Sequence, residues 1–170
     1  MPFFCCADID KKRFACYNIW YIIFFKDFIM TDVELTKKIF AYDQFVKKIG
    51  AEILELDAEK AVVRAPITED CFNANGSAQG GMLYTLADFA FAVHANLIHP
   101  VTVTQCGHID YVRAAKPPYV TATAREKVRA GHNTVSEVIL RDGAGEIVCV
   151  CTFNGFVKDV DRAVLAEKFR

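Results

Sequence analysis

The sequence runs to 170 residues, 53% of them apolar, with 20 basic and 21 acidic side chains and a formal net charge of −1. That is enough chain for one domain with a substantial core, and the charge balance excludes the basic footprint of a nucleic-acid binder. Seven cysteines with no C-x-x-C pair fit reduced, packing cysteines of a cytoplasmic protein, and exclude a legible zinc site.

Residues 1–29 are dominated by Phe, Ile, Tyr, Asn and Lys and sustain no amphipathic period. Lys11, Lys12 and Arg13 precede an apolar run in the manner of a signal peptide. No small-residue cleavage site follows, and the run is too short to span a membrane. Residues 1–29 are therefore expected to be a non-domain extension, from upstream translation or an accessory helix, and residues 30–170 a single domain. From Asp32 to Ile49 apolar residues recur at helical spacing between lysines, predicting one amphipathic helix stopped by Gly50. Residues 51–56 and 60–67 read as a hairpin of two strands. Asn73, Asn75 and Gly76 then form a turn. Residues 81–98 are apolar on nearly every side up to Pro100, which predicts a long helix that protein or lipid must wrap. Asp88, His94 and Asn96 within it, and a length slightly short of a bilayer span, favour burial in protein and no membrane. Four strand-like runs follow, at 101–112, 119–128, 133–141 and 146–157, then a short helix at 163–169. Tight turns at Gly131 and at Asp142-Gly143-Ala144-Gly145 join the later strands. The pattern predicts an α+β fold, an antiparallel sheet of about six strands wrapped round one long buried helix.

Within that helix Asp88 is anomalous. Leu86, Ala87, Phe89 and Ala90 flank it, and an ionised carboxylate there costs several kcal/mol unless compensated. A local bond to Thr85 or Tyr84 one turn back is the structural explanation. The functional one comes from the other end of the helix, where Gln79-Gly80-Gly81 offers free N–H groups and the positive pole of the dipole. Such an end binds anions and stabilises an oxyanion. Gly81 and Asp88 are seven residues apart, roughly 10 Å at about 1.5 Å per residue, so one carbonyl cannot meet both on the same helix. If the two cooperate, two copies must lay their helices antiparallel, and the motif implies a dimer.

The run Asn73, Gly76, Gln79, Gly80, Gly81 and Asp88, followed by a strand-rich half, resembles the hotdog-fold acyl-CoA thioesterases of the phenylacetate-degradation (PaaI) type over roughly residues 50–157. The resemblance implies that Asp88 is general base or nucleophile, that Gly80 supplies an oxyanion N–H, and that Asn73 positions water or substrate. Gln79 stands where the family usually has His; it can donate a hydrogen bond but cannot titrate. Thr104 falls where the family places a polar side chain facing the thioester, and by alternation it shares a face with Cys106. Gln79 and Gly81 are expected to touch substrate as well. Arg113, Lys116, Arg125, Lys127, Arg129 and His132 form a basic group that would suit CoA phosphates; Arg113 and His132, the latter at the family's phosphate-binding turn, are the members assigned to substrate. A solvated strand face explains the same residues.

The four histidines show no H-x-x-x-H pair, G-x-S-x-G is absent, and neither a P-loop nor a dinucleotide fingerprint occurs. No metal and no cofactor is implied. The expected activity is hydrolysis of acyl-CoA thioesters in a homodimer at least, or a homotetramer built as a dimer of dimers. A non-catalytic hotdog module that binds acyl-CoA is the alternative, and a hotdog dehydratase or hydratase lacks the His it would need beside Asp88.

Overall fold

The computed structural model describes residues 31–167; the expected extension at 1–29 lies outside the described residues. Helix α1 (Asp32–Phe40) and helix α2 (Gln44–Lys48) lead into strands β1 (Glu52–Leu56) and β2 (Ala61–Pro66). A 3₁₀ turn (Glu69–Cys71) precedes helix α3 (Gly80–Ile98), and β3 (Thr102–Tyr111), β4 (Tyr119–Ala130), β5 (Asn133–Asp142), β6 (Ile147–Val157) and α4 (Arg162–Glu167) complete the chain. All six strands join one antiparallel sheet in the order β1-β2-β4-β5-β6-β3. The expected fold class is the observed one.

The single helix expected over 32–49 is two. Asp43 breaks it: its carboxylate accepts from the N–H groups of Phe45 and Val46, both at 3.0 Å, so it caps α2 instead of continuing α1. The tight turns are built as their residues require. Asp57 accepts from Glu59 and Lys60 in the β1–β2 turn, and Gly131 (φ 60°) and Gly145 (φ 83°) take left-handed conformations at the β4–β5 and β5–β6 turns.

Helix α3 packs against strands β2 to β6 of the sheet with most of its residues buried. By length and composition alone it is apolar enough to cross a membrane; here the sheet covers it. Ala61, Ala65, Ala122 and Ala124, all fully buried on β2 and β4, let it approach closely. Phe91 stacks on Phe153 of β6 with ring centroids 5.4 Å apart, and Tyr84 meets the same ring at 5.5 Å. Phe91 and Phe153, both fully buried, each contribute about 1.5–3 kcal/mol by burial. At the helix's far end Arg162 donates to the carbonyls of Asn96 and Leu97, both at 2.7 Å, and to Asp32 at 3.0 Å. One guanidinium thus covers two of the orphan acceptors of α3 and ties in α1.

Strand β3 positions the site. It is the last strand of the sheet and runs back along α3, touching it at four levels. Thr102 exchanges hydrogen bonds with Asn96 (2.9 Å each), and Thr104 bonds Asp88. Gly107 lies against Tyr84, and Tyr111 bonds the carbonyl of Gly80. The strand is bulged between them. Thr104 pairs with Gly155 but Cys106 with Asn154, so Gln105 is an extra residue and the alternation changes phase. The expectation that Thr104 and Cys106 share a face is therefore corrected: Thr104 faces the helix and Cys106 faces away.

Candidate active site

Asp88 sits half-buried on α3 between buried neighbours. Its hydrogen bond does not come from Thr85 or Tyr84. The hydroxyl of Thr104, on β3, donates to the Asp88 Oδ1 at 2.7 Å. Burial raises the Asp88 pKa above its ordinary value, the Thr104 bond pulls it down, and the negative charge of Asp43 adds to the rise. A carboxyl group so placed holds its proton more tightly than a solvated one and is a stronger base once ionised.

The helix start is arranged for donation. Gln79 is the N-cap residue, and its side-chain oxygen accepts from the Met82 N–H at 3.0 Å. The Gln79 carbonyl oxygen accepts from Met82 and Leu83. The N–H groups of Gly80 and Gly81 lie in the first turn, where no intrahelical acceptor exists, and neither residue has a Cβ to stand in front of them. The turn before the helix is held by Asn73, whose side-chain oxygen accepts from Asn75 (2.9 Å) and Ser77 (3.2 Å). Gly76 completes it at φ 73°. Gln79, Gly81, Met82 and Thr85 line a groove of about 700 Å³ that Lys47 and Lys48 also border.

The sheet brings Asp88 and Thr104 together and keeps Asn73, Gln79, Gly80 and Gly81 as a second group at the helix start. It does not assemble the basic group. Arg113 pairs with Glu146 beside the start of β6. His132 bonds the carbonyl of Val157 at 2.8 Å and stacks on Phe156, at the end of β6. Ten strand steps of about 3.3 Å put those ends roughly 33 Å apart. Lys127 pairs with Glu137 at 2.6 Å, and Arg129 with the buried His99 at 3.1 Å. Within one protomer no single CoA phosphate can meet both Arg113 and His132. Among the described residues, no three His, Cys, Asp or Glu side chains are grouped to hold a metal ion.

No family model matches the chain. Individual proteins do. The acyl-coenzyme A thioesterase PaaI of Escherichia coli (strain K12) is 35% identical over 89 residues, 51% of this chain. The matched stretch spans 61% of that relative's length. A mutant of the phenylacetic acid degradation protein PaaI of Thermus thermophilus, solved as a structure, is 31% identical with a TM-score of 0.64; the match covers 68% of this chain and 100% of that one. The chain belongs to the PaaI-type hotdog thioesterase family. A hypothetical thioesterase protein of Streptococcus pneumoniae TIGR4, solved with coenzyme A, has the same fold at 24% identity and a TM-score of 0.62, covering 68% of this chain and 98% of that one.

In this PaaI-type chain Tyr111 is the site-adjacent residue that sequence reasoning missed. Counting in twos from Thr104 puts 106, 108 and 110 toward the helix and Tyr111 away from it. The Gln105 bulge reverses that count, and no residue type in Thr104-Gln105-Cys106 announces it.

Proposed function

We propose that the protein hydrolyses acyl-CoA thioesters to the free acid and CoA, at sites completed between two copies of the chain. Asp88 of one protomer takes the proton of a water molecule as the water oxygen bonds to the thioester carbonyl carbon. The carbonyl electrons move onto oxygen, where the N–H of Gly80 in the other protomer, with that of Gly81 beside it, holds the oxyanion. Collapse re-forms the carbonyl and expels the CoA thiolate, which takes up the proton from Asp88 and restores the carboxylate. In the nucleophilic variant the Asp88 carboxylate itself adds and the CoA thiolate leaves, giving a mixed anhydride that water then opens.

The observation that carries this reading is the Thr104–Asp88 bond in a half-buried, apolar setting. It orients one carboxylate oxygen and leaves the other for water. Thr104 is then a positioning residue, Asn73 fixes the turn ahead of the donors, and Gln79 caps the helix beside them. Arg113 and His132 serve CoA phosphates at most singly in one protomer. The name of the E. coli relative and the coenzyme A of the S. pneumoniae structure support CoA as the thiol. Two copies are required because Gly81 and Asp88 share one helix roughly 10 Å apart. Strand β3, an edge strand with Val103 exposed, is the natural seam for a homodimer, and two dimers would make a tetramer. We place the enzyme in the cytoplasm, with residues 1–29 outside the catalytic domain.

The test is release of free CoA, followed with a thiol reagent over a panel of acyl-CoAs, for wild type and Asp88→Asn. The variant should be inactive and keep its oligomeric state in sedimentation. Retention of more than about a tenth of the turnover removes Asp88 from the mechanism. Tight acyl-CoA binding without CoA release by wild type would instead identify a binding module.

A further inference from the structure

Tyr111 ends β3 on the face turned to the helix, paired with the buried Cys149. Its hydroxyl donates to the carbonyl oxygen of Gly80 at 2.9 Å. Its ring lies so close that a Cβ on Gly80 would stand 3.2 Å from it. Yet the residue is 52% exposed, so it is no core aromatic. The Gly80 carbonyl and the Gly81 N–H belong to the same planar peptide unit. A donor on that oxygen fixes the plane, sets the direction of the N–H at its other side and polarises it. The position needs fixing, because two consecutive glycines are the least restrained way to begin a helix. Gln79 secures the neighbouring Met82 N–H from the other flank, and its side-chain oxygen lies 2.8 Å from where a Gly81 Cβ would stand. The two side chains hold the turn and leave the glycine N–H groups uncovered.

We propose that Tyr111 is a positioning residue for the Gly81 oxyanion donor, aligning the Gly80–Gly81 peptide through its hydroxyl. The proposal deepens the hydrolytic reading and rests on it. Tyr111 touches neither substrate nor the reacting atoms. Its contribution belongs to the transition state, when negative charge develops on the thioester oxygen, so it acts on kcat rather than on KM.

The experiment compares wild type with Tyr111→Phe, which keeps the ring. In steady-state hydrolysis kcat should fall about tenfold with KM changed by less than about twofold; removing an oxyanion donor itself costs about 10²–10³. In spectra of protein labelled with [15N]glycine, the Gly81 amide among the nine glycines should shift. Asp88→Asn is measured alongside. If that variant stays active, Asp88 leaves the mechanism while hydrolysis stands; if wild type releases no CoA, the hydrolytic reading fails, whereas the Gly81 resonance still judges the Tyr111 bond. If Asp88→Asn is inactive but Tyr111→Phe keeps wild-type kcat, the positioning role alone is overturned. A Tyr111→Phe loss of kcat with an unmoved Gly81 amide also overturns it, since the effect would then arise elsewhere.

Discussion

Replacing Thr104 with Val tests the central contact directly. Valine keeps the β-branched shape that suits β3, so the pairing of position 104 with Gly155 should survive, and only the 2.7 Å hydroxyl bond to Asp88 is lost. A hydrogen bond to an ionised group contributes about 1.5–3 kcal/mol. Thr104 is exposed in the single chain, so water replaces part of it, and about 1 kcal/mol is the reasonable loss. That bond favours the carboxylate over the carboxylic acid, so its removal lowers the ionised-to-neutral ratio of Asp88 about fivefold at any given pH. The Asp88 pKa, already raised by burial, rises further. The assay is kcat/KM against pH, followed by CoA release. On the acid limb the variant should be about fivefold slower; as pH rises the two curves should converge, because both are then fully ionised. An equal loss at every pH would mean that Thr104 acts on something other than the ionisation of Asp88. Superimposed profiles would mean that the bond contributes nothing in solution.

Asp88→Asn should also be more stable than wild type at neutral pH. Because the folded-state pKa lies above the ordinary 3.8, wild type loses stability as pH rises from 3.8 through the folded value; the melting-temperature gap should therefore close on acidification, and a variant that melts lower at neutral pH contradicts the argument. Gly107→Ala would place a Cβ 2.2 Å from the Tyr84 hydroxyl and 2.6 Å from the Phe153 ring. Such overpacking costs about 1–3 kcal/mol and should lower Tm by roughly 5–10 °C in thermal melts; a change under about 2 °C would show that the ring pair gives way freely.

The elements of the fold were readable because each carries its own chemistry. Apolar residues on every side of 81–98 require a covering sheet, and Asp142 and Gly145 mark a turn whatever surrounds them. Asp88 was legible for the same reason, as one charge in an apolar run. What escaped were features fixed by partners distant in sequence. The break at Asp43 depends on one side chain choosing cap over helix. The dispersal of the basic group follows from sheet register, which pairs Arg113 with Glu146 and carries His132 to the opposite end of β6. Lys47 and Lys48, which in sequence are two of the lysines spacing an amphipathic helix, border the groove at the start of α3. Tyr111 escaped because its direction is set by a bulge, whose cause lies in the β3–β6 pairing and not in any local motif.

The Gln105 bulge has a consequence for how such a strand can vary. Thr104 and Tyr111 are seven positions apart, an odd interval, and in an unbroken strand an odd interval sends two side chains to opposite sides. The extra residue works like a half-step in a ratchet: it lets one strand serve both the carboxylate and the glycine turn, two turns of helix away. Loss of that single residue would not shorten the strand so much as turn one of its ends inside out. In a related sheet without the bulge, residues serving these two stations should be separated by an even interval. The spacing between them is therefore a signature of the backbone, readable wherever the two residues can be recognised.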